Sequence, residues 1–141
     1  MRLRFYGGDP QWGVPSDAHP RVRDGVIYRY GLTWAPDYSR PPRYLCVCQC
    51  GHSRSVALAR VLHARRRQAV ACGWQTAGDG LAHLVAWADV VCVLQSHFAE
   101  HIPAEQRPKV VALDVGHDLW SNPYHPELLA ILERMVKEAR L

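Results

Sequence analysis

From Tyr44 onward, the apolar positions alternate between two textures: short unbroken runs and longer stretches at helical spacing. The runs "YLCVC" (44–48), "DVVCVLQ" (89–95) and "KVVALDV" (109–115) are bounded by polar or turn-forming residues. That is the pattern of strands buried on both faces. "GWQTAG" (73–78) reads as a further short strand. Between these runs, "SRSVALARVLHARRRQAVA" (53–71) sets Val56, Leu58, Ala59, Val61 and Leu62 at helical spacing, with arginines gathered late. Cations suit the carboxyl end of a helix. "GLAHLVAWA" (80–88) predicts a short helix. "HPELLAILERMVKEARL" (125–141) predicts an amphipathic one with Pro126 near its first turn. Strands alternating with helices predict an α/β fold, a central parallel sheet of about four strands with helices on both faces.

The first 42 residues differ in texture, holding six of the ten prolines and five of the ten glycines. "RLRFY" (2–6) and "GVIYRYG" (25–31) read as short strands able to form a β-hairpin, and "WAPDYSRPPR" (34–43) as a linker, since Pro36, Pro41 and Pro42 deny it helix. The division expected is therefore an N-terminal Pro/Gly-rich extension over 1–42 and a folded domain over 43–141.

Composition narrows the class. Hydrophobic residues make up 48% of the 141 and charged residues 21%, enough for one packed core. A formal charge of +4, from 17 Lys and Arg against 13 Asp and Glu, suits an anionic partner but is too weak to single out nucleic acid. No run is long and apolar enough to cross a membrane, and "MRLRFYGGDPQW" lacks the apolar centre of a signal peptide. These features predict a cytoplasmic chain whose cysteines are reduced thiols. Five is also an odd number for a complete disulfide framework.

Three cysteines, Cys46, Cys48 and Cys50, crowd the end of the first core strand, and Arg54 follows across a Gly-containing turn. A metal site, a disulfide and a nucleophile in an anion-binding loop compete to explain them. Zinc usually takes pairs two to four residues apart plus a second pair. His52, His63, Cys72 and Cys92 supply no such pairing. A Cys48–Cys50 disulfide under oxidation is permitted by the spacing. The third reading rests on position. A loop running from a strand into a helix turns several backbone N–H groups into one space, and with the helix dipole they form a socket for a phosphate-sized anion. The same field favours thiolate, the nucleophilic form. In this arrangement Cys48 attacks phosphorus, the amides of Gln49, Cys50, Gly51, His52 and Ser53 cradle the oxygens, and Arg54 brings its planar fork to two of them. Ser55 offers a hydroxyl hydrogen bond to the sulfur.

"VCQCGHSRS" (47–55) resembles the signature loop of the cysteine-dependent protein tyrosine phosphatases: Cys, five residues, Arg, then Ser or Thr. Its place after the first core strand resembles the low-molecular-weight phosphatase and arsenate reductase group, with a compact middle like that of a subgroup of predicted tyrosine phosphatases. "QTAG" (75–78), "ADVVCVLQSHF" (88–98) and "VVALDVGHDLW" (110–120) resemble that group's landmarks in the same order. The chain departs from the family at Gly51 and Ser53, where the group often has Asn and Cys. It also has Val47 where a histidine often precedes the nucleophile in related loops. The resemblance implies a phosphomonoester hydrolase acting on phosphotyrosine in proteins, with no metal or cofactor, and a general acid on a late loop. The loop here holds Asp114 and Asp118 without the usual Asp-Pro pair, and Asp118 is the expected acid, with Trp120 walling the pocket. "NPY" (122–124) has the family's shape, but an amide has no proton to give at neutral pH.

Two alternatives stay open. An arsenate reductase-like thiol enzyme would need Cys72 or Cys92 to reach Cys48. A phosphate-binding module with little turnover would read a phosphoprotein or a nucleic-acid 5′-phosphate. Elsewhere plainer readings hold. Cys46 and Cys92 are core thiols. His97, His101 and His117 are surface or capping residues. Arg65, Arg66 and Arg67 form a solvated helix end. Trp12, Trp34 and Trp120 serve core and rim, or else frame a pocket for an aromatic phosphoester.

Overall fold

The computed structural model describes residues 40–141, together with the backbone of Arg4–Tyr6, Arg21–Arg23 and Val26–Tyr28. These three short segments are strands β1, β2 and β3. Most of the 34–43 linker falls outside the described residues, as do Trp12 and Trp34. The chain continues as β4 (Arg43–Cys48), α1 (Arg54–Ala64), β5 (Gln68–Gly73), α2 (Gly80–Trp87), β6 (Val90–Val93), β7 (Val110–Ala112) and α3 (Pro126–Glu138). Two 3-10 helices, Ser96–His101 and Ala104–Lys109, join β6 to β7.

The sheet runs in the order β1-β3-β2-β5-β4-β6-β7. Its last four strands are mutually parallel, with Cys46 opposite Ala71 on one side and Cys92 on the other. This is the α/β architecture predicted from the runs. β4 is buried from Tyr44 to Cys48 because helices cover both of its faces, so it reads as a continuous apolar run. The crossover from β4 to β5 moves one way, and that from β5 to β6 returns past β4 the other way. Right-handed crossovers then put α1 and α2 on opposite faces. α3 packs beside α1, burying Leu128, Leu132 and Val136 at four-residue spacing. The extension does carry an antiparallel hairpin, but between β2 and β3, which are separated by Asp24-Gly25 in the sequence. β1 pairs with β3 in parallel, Arg4 opposite Val26. Arg21 of β2 pairs with Ala71 of β5.

Two expected elements are corrected. The helix read over 53–71 ends at Ala64, and residues 68–73 form β5 instead. Arg67 N–H donates to Leu62 O (2.9 Å) and Arg66 N–H to His63 O (2.9 Å), with Arg66 at φ 59°. This is a Schellman stop with arginine in the left-handed position that glycine normally fills, so the usual stop signal is missing from the sequence. The strand read over 73–78 is a turn beyond Gly73, closed by Ala77 N–H donating to Gly73 O (2.9 Å).

Arg43 and Asp89 tie the starts of β4 and β6 together. Arg43 N–H donates to Asp89 Oδ2 at 2.8 Å, and the guanidinium pairs with the same oxygen at 3.1 Å. These bonds hold the Asp89 carboxyl below its ordinary range. No described helix is long and apolar enough to cross a membrane.

Candidate active site

β4 and β6 are neighbours whose connections leave in opposite directions, β4 towards β5 and β6 towards β7, and their carboxyl ends mark the place at which open α/β sheets bind ligands. Residues 49–53 run from there into α1, and Gly51 turns through φ 75°. The Gly51 amide donates to Cys48 Sγ at 3.1 Å, and Ser55 Oγ lies 3.1 Å from the same sulfur. Cys48 is 3% exposed. The turn therefore places Cys48, Gly51 and Ser55 together as the spacing predicts.

What shapes the loop is a contact between backbones. It lies along the residues that follow β5: Trp74 N–H donates to Cys48 O (2.9 Å), Gln75 N–H to Gln49 O (3.0 Å), and Thr76 Oγ1 to Cys50 O (3.0 Å). Gln49 and Gln75 also bond through their side chains at 3.0 Å. A Cβ on Gly73 would sit 2.3 Å from Cys50 C and 2.5 Å from Gly51 N. Only glycine lets the loop settle this closely.

Arg54 is 4% exposed, and its partners are neutral. Nη1 donates to Gln95 Oε1 (2.7 Å) and to Gly116 O (2.5 Å), and the guanidinium carbon lies 5.5 Å from the centre of the Phe98 ring. Among the described residues no carboxylate pairs with it, and its Nε–H, buried, has no acceptor. A buried cation without counter-charge is costly, and so is a buried donor left unmet. Both deficits would be met by an anion.

No family model, curated protein or solved structure matches the chain.

Asp118 reaches the loop from the segment after β7. Its Oδ1 accepts from Ser53 Oγ (3.2 Å), Trp120 N–H (3.1 Å) and Ser121 N–H (2.9 Å). Asp114, the other carboxylate of that late loop, accepts from Ser96 Oγ at 2.9 Å on an exposed edge. Trp120 is partly buried against the core. Cys50 and His52 are exposed, so the loop offers their backbone rather than packed side chains. His101 stacks on Trp74 with ring centres 3.7 Å apart, and His97 meets Phe98 edge-on.

The remaining thiols sit in the strands. Burial pushes Cys46 and Cys72 well above their ordinary range, and Cys92 up to about 12. All five cysteines are free thiols, and among the described residues no three His, Cys, Asp or Glu side chains converge as a metal site requires. The sequence reading gave no role to Gly73, to Gln95, or to the Gly116 carbonyl. The last two lie at strand ends, within segments that resemble landmarks of the phosphatase group.

Proposed function

We propose that the chain is a cysteine-dependent phosphomonoester hydrolase of the protein tyrosine phosphatase kind, acting in the cytoplasm on phosphotyrosine in proteins. The observation that carries this reading is the buried Arg54 guanidinium. Among the described residues it has only neutral partners and an unmet Nε–H, and it stands one turn from a sulfur that accepts an amide. A phosphate dianion supplies the missing charge and acceptor together.

The chemistry runs in two displacements. Cys48 thiolate attacks phosphorus, and the S–P bond forms as the P–O bond to the leaving group breaks. Asp118 gives that oxygen its proton, releasing the phenol. Water then attacks the cysteinyl-phosphate. Asp118, now a carboxylate, takes its proton, the S–P bond breaks, and inorganic phosphate leaves with Cys48 restored as thiolate. Loop amides and Arg54 hold the three equatorial oxygens through both steps. The Ser55 hydroxyl eases departure of the thiolate in the second. Hydrolysis is favoured over the thiol relay of an arsenate reductase because Cys72 and Cys92 are buried and held neutral.

The test is phosphate release from an aryl phosphate. Cys48→Ser is expected to abolish it, whereas Asp118→Asn is expected to slow it about 100-fold or more with vanadate affinity kept. A serine variant as active as the native chain would end the hydrolase reading. Tight vanadate binding with no turnover in the native chain would instead leave a phosphate-binding module.

A further inference from the structure

Ser53 stands at the N-cap of α1, where serine is favoured because its hydroxyl accepts from an early helix amide. In this chain it makes no cap bond. Its hydroxyl turns away and donates to Asp118 Oδ1, 65 residues further on. The side chain that would cover the first amides of α1 is thus occupied elsewhere, and those amides stay available to an anion.

The bond also fastens the acid's segment to the nucleophile's turn, beside a second tie between Arg54 Nη1 and Gly116 O. Each hydrogen bond to Asp118 lands on the same oxygen. Oδ1 takes Ser53 Oγ and the amides of Trp120 and Ser121, while Oδ2 accepts none among the described residues. A carboxyl held by three donors on one oxygen keeps the other for its proton.

We propose that Ser53 is a positioning residue for proton transfer in the hydrolase described above: its hydroxyl fixes Oδ1 and thereby aims Oδ2. In the first step the Oδ2 proton passes to the leaving oxygen as the P–O bond breaks. In the second, Oδ2 takes a proton from the water that attacks phosphorus. This inference rests on the hydrolase reading and adds to it a side chain that the loop's anion binding does not use.

The test separates positioning from mere structure by the leaving group. The full chain and its Ser53→Ala, Ser53→Thr, Asp118→Asn and Ser53→Ala/Asp118→Asn variants are compared by kcat/KM on p-nitrophenyl phosphate and phenyl phosphate. The nitrophenolate leaves without help; phenolate needs the proton. Ser53→Ala is expected to cost about 10-fold on phenyl phosphate, the worth of one hydrogen bond to a charged group, and under about 3-fold on p-nitrophenyl phosphate. Ser53→Thr is expected to retain most of the activity, and Ser53→Ala to add nothing once Asp118 is Asn. If Ser53→Ala loses its thermal transition, Ser53→Gly replaces it, since glycine is nearly as good a cap. Equal losses on both substrates, no loss at all, or a Ser53→Ala loss that persists in the Asp118→Asn background would overturn the role alone. Turnover that is absent, or that survives Cys48→Ser, would overturn the hydrolase reading and this role with it.

Discussion

A methyl group at position 73 should dismantle the loop that joins β4 to α1 while leaving the sheet folded. The Cβ of Gly73→Ala would lie 2.3 Å from Cys50 C, 2.5 Å from Gly51 N and 2.6 Å from Gln49 O, all of them backbone atoms. Ordinary contact begins at 3.4 Å, so Cys50 C must withdraw by 1.1 Å (3.4 − 2.3). No side-chain rotation can relieve this, and the bonds from Trp74 N–H to Cys48 O and from Gln75 N–H to Gln49 O must stretch with it. Overpacking of this kind costs about 1–3 kcal/mol, a fall of several degrees in Tm. Displacing the amides by about 1 Å should also weaken oxyanion binding about 100-fold. Gly80→Ala is the control. A Cβ there meets nothing within 4 Å at the first residue of α2, and it should hold or slightly raise Tm. Vanadate titration calorimetry and thermal melts read both quantities. A Gly73→Ala protein with native Tm would refute the backbone contact, and one with lowered Tm but native vanadate affinity would show that the anion binds elsewhere.

Arg54→Lys keeps the charge but loses the fork, so vanadate affinity should fall about 10- to 100-fold with little change in Tm, measured by the same titration. In the native chain at neutral pH, iodoacetamide should label exposed Cys50 while sparing Cys46, Cys72 and Cys92, whose burial keeps them protonated. Intact mass before and after denaturation counts the sites, and labelling of Cys72 in the folded chain would count against the packing. For Asp89, Arg43 lowers the folded pKa below the ordinary 3.8, so the pair stabilises fully above that value and the contribution is lost as pH falls through the folded pKa. The Tm advantage over Asp89→Asn should be level above about pH 5 and shrink on acidification below it. A gap that widened in acid would reverse the sign.

Most of the fold was legible because burial on both faces of a sheet leaves unbroken apolar runs: β6 lies inside its run and β4 starts one residue before its own, whereas β7, last in the sheet, is only partly buried although its run reads the same. α2 and α3 start within a residue of their predicted bounds, α3 at a proline that suits a helix start. β5 was hidden for a specific reason. α1 and β5 are joined by three residues, with arginine rather than glycine in the left-handed stop, so helical spacing seemed to run through "QAVA". Gly73 ends this strand, although "GWQTAG" reads as a strand that starts there.

The site divides along the same line between local and distant. Cys48, Gly51, Arg54 and Ser55 belong to one turn, and their geometry follows from a strand entering a helix, which spacing alone encodes. The groups that shape the loop and hold Arg54 come from other strand ends: Gly73, against the loop backbone, closes β5, while Gln95 and Gly116, which bond Arg54, follow β6 and β7. The order β5-β4-β6-β7 brings them round one space, and nothing in the spacing from Cys48 to Arg54 foretells it. Their chemistry is nonetheless coherent. A glutamate at position 95 could accept the same hydrogen bond and would neutralise the guanidinium. The amide of Gln95 and the carbonyl of Gly116 orient it and leave its charge uncancelled. A buried arginine held this way costs stability, and in the proposed hydrolase an incoming oxyanion offsets that cost.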